Sequence, residues 1–199
     1  MRDVDVRQAI LNRLSDHYAN DRDTRVVEEM GIWSGVVRID VAVINGELSG
    51  YELKSDSDTL DRLSTQAFYY EKVFEKLILV VGSRHIEKAR NVLPKWWGII
   101  EARSSGRGIE LKDRRKPRKN PRQEAFVLAQ LLWKEEALAI LERWGLAKGW
   151  KSKSAREINQ RLASELPILQ LNEEVRTMLK IRGGWLRDSI SNQRNMPIQ

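Results

Sequence analysis

The sequence predicts an α/β fold, a central mixed sheet flanked by helices, with an all-helical C-terminal extension. Three observations carry this. Residues 38–44 and 47–54 alternate as two adjacent strands do: Ile39, Val41, Val43, Tyr51 and Leu53 fall on one face, and Arg38, Asp40, Glu52 and Lys54 on the other. Leu77-Ile78-Leu79-Val80-Val81 is a continuous apolar run ended by Gly82, the pattern of a buried central strand. Beyond a basic, proline-punctuated stretch at 114–122, every apolar pattern is helical.

Taken in order, Val4, Ile10, Leu11 and Leu14 predict an amphipathic helix over about 3–19, with Asp3 as its cap. Thr24 to Ile32 reads as a strand, with Glu28 and Glu29 at its end. Gly31, Ser34 and Gly35 mark a turn before the paired strands. Asp58 is placed to cap a helix over about 59–74, with Asp61 completing a weak capping box. On that helix Arg62, Gln66 and Tyr69/Tyr70 recur at spacings of three and four and share a face, opposite Leu60, Leu63, Ala67 and Phe74. A helix at about 84–93 stops before Pro94. Short strands follow at 97–102 and 109–112, around a Ser-Ser-Gly-Arg-Gly loop.

The stretch from Asp113 to Arg122 holds two prolines, no apolar residue and the cations Arg114, Arg115, Lys116, Arg118, Lys119 and Arg122. It divides the chain into a core (1–113), a basic linker (114–122) and a helical region (123–199). Helices are predicted at about 122–132, 134–145, 154–166 and 172–182, with a capping box at Ser154–Glu157 and Asn172 as a further N-cap. The three later helices suit a helix-turn-helix-like unit, cover for a sheet edge, or contact with a second copy or protein partner.

Composition bounds the function. The chain has 199 residues and no Cys, which excludes disulfides, thiolate metal sites and a Cys nucleophile; two His residues make a His-built zinc site a poor reading. No apolar run reaches the roughly 20 residues of a membrane span, and the N-terminus lacks the apolar core of a signal peptide. The expectation is a soluble cytoplasmic protein with no membrane partner. Residues 1–110 carry 16 Lys and Arg against 18 Asp and Glu, whereas 111–199 carry 19 against 10. That asymmetry points to a polyanion held by the C-terminal half, or more blandly to a solvated basic surface.

The charged face of the strand pair has its own chemistry. Two carboxylates on one face can hold a hard divalent cation, Mg2+ or Mn2+, and an adjacent Lys can position a nucleophilic water or stabilise developing negative charge. The Leu53 carbonyl, between Glu52 and Lys54, adds a neutral oxygen. A register condition applies. A two-residue turn at Asn45-Gly46 would set Asp40 and Glu52 on opposite faces, whereas a three-residue loop at 45–47, or a bulge at Gly50, sets them together.

Asp40, then Glu52-Leu53-Lys54, then Gln66 and Tyr70 resemble the PD-(D/E)XK nuclease superfamily and the Q-x-x-x-Y helix motif of its RecB-like branch. The succession of helix, three strands, helix and strand over residues 3–81 is similar to that fold's core. Arg-Ile-Asp, Gly-Tyr-Glu-Leu-Lys-Ser-Asp and Asp-Thr-Leu-Asp-Arg-Leu-Ser-Thr-Gln also resemble a group of small bacterial and phage proteins of unassigned role. The resemblance implies metal ligation by Asp40 and Glu52, a catalytic Lys54, and Gln66 and Tyr70 supporting the site or contacting DNA. An upstream acid is also implied; Glu29 is the first choice, then Glu28 and Asp5. The sequence departs in having Ile39 where the motif's name has proline.

The expected activity is Mg2+- or Mn2+-dependent hydrolysis of DNA, with RNA as a second substrate class, in repair, recombination or defence. The alternatives are a nucleic-acid-binding protein with a nuclease-derived core that does not cut, and a helical regulatory module riding on that core. Arg62, Arg114, Arg115, Lys116, Arg118, Lys119, Lys151 and Lys153 are the expected nucleic-acid contacts. Taken singly the signals have plainer readings. Gln66 suits a surface, Tyr69 and Tyr70 a core, and Arg62 an ion pair with Asp58 or Glu28. His17 and His85 suit the surface. The tryptophans (33, 96, 97, 133, 144, 150, 185) suit the core, with Trp150 also able to stack on a base.

Overall fold

The computed structural model of the chain describes residues 1–33, 35–106 and 108–183; Ser34, Arg107 and Trp185 lie outside them. Six strands form one sheet in sequence order: β1 (Arg25–Ile32), β2 (Val37–Ile44), β3 (Leu48–Lys54), β4 (Lys76–Gly82), β5 (Gly98–Ser105) and β6 (Gly108–Arg115). The β1–β2, β2–β3 and β5–β6 pairs are antiparallel, and β3–β4 and β4–β5 are parallel. The sheet is therefore mixed, as expected. The parallel connections need crossovers, which α2 (Leu63–Tyr70) and α3 (Ile86–Val92) supply.

Helices cover both faces. On one, α1 (Asp3–His17) sets Val6, Ile10 and Leu14 against Val41, Val43, Leu53, Ile78, Val80 and Ile100. On the other, α2 and α3 pack with α4 (Ala125–Ala129), α5 (Lys134–Arg143), α6 (Ala155–Glu165) and α7 (Ile168–Ile181) over Ile39, Ala42, Ile44, Leu77, Leu79, Val81 and Ile99. The expected division into an apolar and a charged sheet face is thus corrected: both faces are buried, and Glu52, 1% exposed, lies inside the packed layer. Ile39 also changes sides, joining the α2 face instead of that of Val41 and Val43. The cause lies on β1. Glu28↔Val41 and Met30↔Ile39 keep one register, but Glu29 between them has φ +54°, which breaks the two-residue alternation at that level.

Several helix ends differ from the expected ones. Arg2, not Asp3, precedes α1, and Asp5 accepts from the Arg2 backbone N–H at 2.8 Å. Asp58 does not cap α2, which starts five residues later; it accepts instead from the Ser55 N–H (2.7 Å) and hydroxyl (2.6 Å), closing the loop after β3. Asn172 is inside α7 and buried, exchanging amide hydrogen bonds with Gln123 at 3.1 Å. The Ser154–Glu157 capping box forms as read, with both side chains bonded to the opposing backbone N–H. Trp97 is fully buried; Trp33, Trp96 and Trp150 are partly so. Trp133 and Trp144 are exposed, against expectation. Trp144 nevertheless donates to Glu174 at 2.7 Å.

The basic stretch is an ordered strap. Arg114 and Arg115 end β6, and the chain then runs back across the molecule, with Arg118 N–H bonded to Trp96 O and Asn120 N–H to Glu75 O, both at 2.8 Å. Buried Asn120 also donates to Glu71 O and Phe74 O. Gly98 makes room for the strap: a Cβ there would sit 2.9 Å from Pro117 Cδ. The helices beyond share the sheet's core, and Arg176–Glu75 (2.6 Å) and Lys180–Asp23 (2.6 Å) tie α7 to it. Among the described residues no helix is long and apolar enough to cross a membrane.

Glu101 on β5 gives the fold an acid-sensitive point. Burial opposes its ionisation, but hydrogen bonds from Arg103, Ser83 and Arg114 outweigh burial and hold its carboxyl down to about 2, from an ordinary value of 4.5. A depressed native pKa adds stability that is complete above about 4.5 and lost as pH falls towards 2. Glu101→Gln should flatten that part of the acid-unfolding curve while lowering stability at neutral pH, as read by urea denaturation at a series of pH values.

Candidate active site

The loop joining β2 and β3 sets the geometry. Val41↔Tyr51 through Ile44↔Leu48 pair in register, leaving three loop residues, Asn45, Gly46 and Glu47. Asn45 Oδ1 accepts from Glu47 N–H at 3.0 Å, the local bond that suits Asn to such a turn. Gly50 is not a bulge: it pairs with Ala42, and a Cβ on it would come 3.0 Å from Leu77 and 3.1 Å from Phe74. Continuing the register one residue past Val41↔Tyr51 puts Asp40 across from Glu52. The odd-length loop thereby brings the two carboxylates together.

Glu52 is enclosed by the residues expected to surround it. Its Oε1 accepts from Lys54 Nζ and from Gln66 Nε2, each at 2.6 Å, and its Oε2 from the Tyr70 hydroxyl at 2.8 Å. Gln66 and Tyr70, four residues apart on α2, present one face to β3. Tyr70 is buried, and its Oη also lies 2.6 Å from Arg38 O, so one hydroxyl proton faces two acceptors. Burial and the Glu52 carboxylate push the Tyr70 pKa upward, keeping the phenol protonated. Gln66 Oε1 is buried with no hydrogen-bond partner. Turning the amide would satisfy nothing, because its oxygen would then face the Glu52 carboxylate.

Asp40 is held differently. Oδ2 accepts from Leu53 N–H and Oδ1 from Arg7, both at 2.8 Å, and Arg7 also donates to the Asp40 carbonyl at 3.2 Å. Burial, then the Glu52 charge, raise the Asp40 pKa to about 7, against the opposing pull of the Leu53 N–H, Arg7 and Lys54. Arg7 comes from α1 and reaches Glu29 at 2.8 Å as well, with Glu28 and Asp3 each at 3.7 Å. Burial works against its charge, but Asp40, Glu29 and Asp3 outweigh burial and hold its pKa above the ordinary value.

Arg7 is the residue that sequence reasoning missed. The available signal was a cation beside the helix face that carries Val6 and Ile10 into the core, a position Arg13 shares. Of the three upstream acids considered, Glu29 and Glu28 join this network, whereas Asp5 turns away to Arg2. Arg62 is exposed at the rim of a cleft of about 430 Å3, which Arg38, Gln66 and Tyr70 also line. Of the other cations, Arg114 is bound to Glu101, Lys151 to Glu142 (3.2 Å) and Lys153 to Glu157 (3.2 Å). Lys116, Arg118 and Lys119 are exposed on the strap.

The donor set can be tested against a divalent cation. Asp40 and Glu52 are adjacent hard oxygen donors, burial and then the Glu52 charge raise the Asp40 pKa, and Gln66 Oε1 is a buried acceptor without a donor. These features fit a cation. Arg7 already neutralises Asp40 and Glu29, so a metal would enter in competition with it. Among the described residues no group of three or more Asp, Glu, His or Cys is arranged as a ready cage. Arg7→Ala should leave two partly buried carboxylates unpaired and destabilise the fold by on the order of 3 kcal/mol. Removing the exposed Arg13–Asp113 pair by Arg13→Ala should cost at most about 1 kcal/mol. Urea denaturation of both variants at pH 8 measures the contrast.

Protein cII of Enterobacteria phage P4 is 29% identical over 160 residues, covering 80% of this chain and 60% of that protein. The chain therefore spans about three fifths of the length of that curated relative. No solved structure matches. The profile of the family described as Bacteriophage P4 protein cII matches residues 1–196, and the chain belongs to that family.

Proposed function

We propose that this chain is a metal-dependent nuclease of the PD-(D/E)XK type that hydrolyses phosphodiester bonds in DNA. The observation that supports this best is the convergence of Asp40, Glu52, Lys54, Gln66 and Tyr70, from two strands and a helix, on one partly buried point. Asp40 and Glu52, with the Leu53 carbonyl, would hold Mg2+ or Mn2+, which when bound supplies Lewis acidity and an activated water. Tyr70 and Gln66 fix the Glu52 carboxylate, so its oxygens are oriented before substrate arrives. Lys54, whose side chain is only 13% exposed, has its Nζ placed to orient the attacking water or stabilise charge on a phosphate oxygen. Arg62, at the mouth of the adjoining cleft, suits a substrate phosphate.

One observation favours a second reading, a nucleic-acid-binding protein that does not cut. Arg7 supplies the positive charge that a metal otherwise brings, and a permanent Arg7 bridge would leave the carboxylates structural.

Cleavage of linear, circular, single-stranded and branched DNA, with RNA alongside, separates the two. With Mg2+ or Mn2+ the wild type should cut at least one substrate, and Lys54→Ala and Asp40→Ala should each lower the rate by a factor of about 100 or more. Binding without cleavage under every metal condition would favour the second reading. Mg2+ should also raise the melting temperature of Arg7→Ala more than that of the wild type, because the variant lacks the competing cation.

A further inference from the structure

A second feature of the surface is a cleft of about 530 Å3 lined by Arg90, Lys95, Arg114, Arg115, Lys116 and Arg118. Among the described residues no carboxylate lines it. Arg90 is paired with Glu87 at 2.8 Å on the helix surface, and Arg114 with Glu101. Among the described residues no carboxylate pairs with Lys95, Arg115, Lys116 or Arg118. Gathering like charges around a concavity is unfavourable unless an anion compensates them.

The cations are also held in place. Arg115, half-buried at the end of β6, donates to Trp97 O at 2.6 Å and to Pro94 O at 3.1 Å, so its guanidinium is fixed by backbone carbonyls and not by an acid. Burial and the nearby charge of Arg90 both disfavour its ionised form. Lys116 and Arg118 are two residues apart on the strap, which the Arg118 N–H bond to Trp96 O and the close packing of Pro117 on Gly98 hold against β5. With Arg115 and the strap backbone already fixed, little loop freedom is lost when an anion arrives.

The cleft lies on the same sheet as the carboxylate pair. Glu52↔Leu79, Leu79↔Ile99 and Ile99↔Arg115 form one row, so the backbones of Glu52 and Arg115 are three strand spacings apart, about 14 Å. That is about four steps of one duplex strand measured along its axis. Among the described residues no apolar side chain lines the cleft, so a lipid surface, which needs an apolar anchor beside the charge, suits it less well than a phosphodiester backbone.

We propose that this cleft is a phosphodiester-binding site that grips a nucleic-acid backbone a few nucleotides from the Asp40–Glu52 pair. It rests on the nucleic-acid reading above but not on hydrolysis.

The test is binding of a 20-base-pair DNA duplex and a 20-nucleotide single strand by the full chain, in EDTA, across a KCl series. The proteins compared are the wild type, Lys95→Ala/Lys116→Ala/Arg118→Ala and Arg13→Ala. All three substituted cations are exposed, so an unchanged melting temperature checks that the triple variant is folded. The triple variant is expected to lose at least about tenfold in duplex affinity at 0.1 M salt. Its log–log salt slope should fall by about 2 to 3, near 0.9 for each lost phosphate contact. Arg13→Ala, which removes an exposed cation outside the cleft, should bind as the wild type does. Unchanged affinity and slope in the triple variant would overturn the assignment. So would competition by poly-glutamate as effective as by DNA, which would make the cleft an acidic-protein site. Cleft-dependent binding without cleavage would uphold the cleft while hydrolysis fails; cleavage with cleft-independent binding would do the reverse.

Discussion

A carboxylate at the centre of a packed layer must be partnered, and the arrangement around β3 follows from that requirement at Glu52. It is 1% exposed between a parallel strand and α2. An isolated charge there would be strongly unfavourable, and the neighbouring sequence supplies an ammonium two residues away and an amide and a phenol four residues apart on the covering helix. Lys54, Gln66 and Tyr70 are therefore at once the structural partners of a buried charge and the groups that a hydrolytic site would use. A fold that needed only stability would place an apolar residue at position 52, since replacing buried ion pairs by well-packed apolar groups is often neutral or stabilising.

The second carboxylate is reached by interrupting the sheet. Glu29 in a left-handed conformation breaks the alternation of β1, and at the same level β2 moves Ile39 onto the α2 face. The break falls where Asp40 and Glu29 converge on Arg7. Non-glycine residues with positive φ persist where the surroundings over-determine them, and here three charged groups from α1, β1 and β2 do so. The site thus joins elements far apart in sequence, which is why α1 is needed beyond its apolar packing.

Much of this was legible in the sequence. Asp40, Glu52 and Lys54 stood out as charge on one strand-pair face, Gln66 and Tyr70 joined them through the family resemblance, the condition on the 45–47 loop could be stated but an odd-length loop and a Gly50 bulge both met it, and Leu77 to Val81 reads as a central strand because no polar residue interrupts it. The face exchange at Ile39 was not legible, because it depends on one backbone angle at Glu29, a residue type with no special preference for that region. Arg7 was hidden because its role depends on how α1 docks, not on its neighbours in sequence. Asp58 and Asn172 are good caps by residue type, yet tertiary bonds to Ser55 and Gln123 claimed their side chains. The basic stretch was recognisable as charge, but not its ordering. That ordering comes from backbone bonds to Trp96 and Glu75 and from a glycine on β5, and it brings Arg90 and Lys95 beside the strap.

Anomalous diffraction from crystals grown with Mn2+ tests the proposed cation site at Asp40 and Glu52. The expected result is a peak bounded by the two carboxylates, with the Arg7 guanidinium moved off Asp40 and still on Glu29. No peak there, with Arg7 bridging Asp40 and Glu29 as before, would contradict it and leave the two carboxylates as parts of a structural ion network.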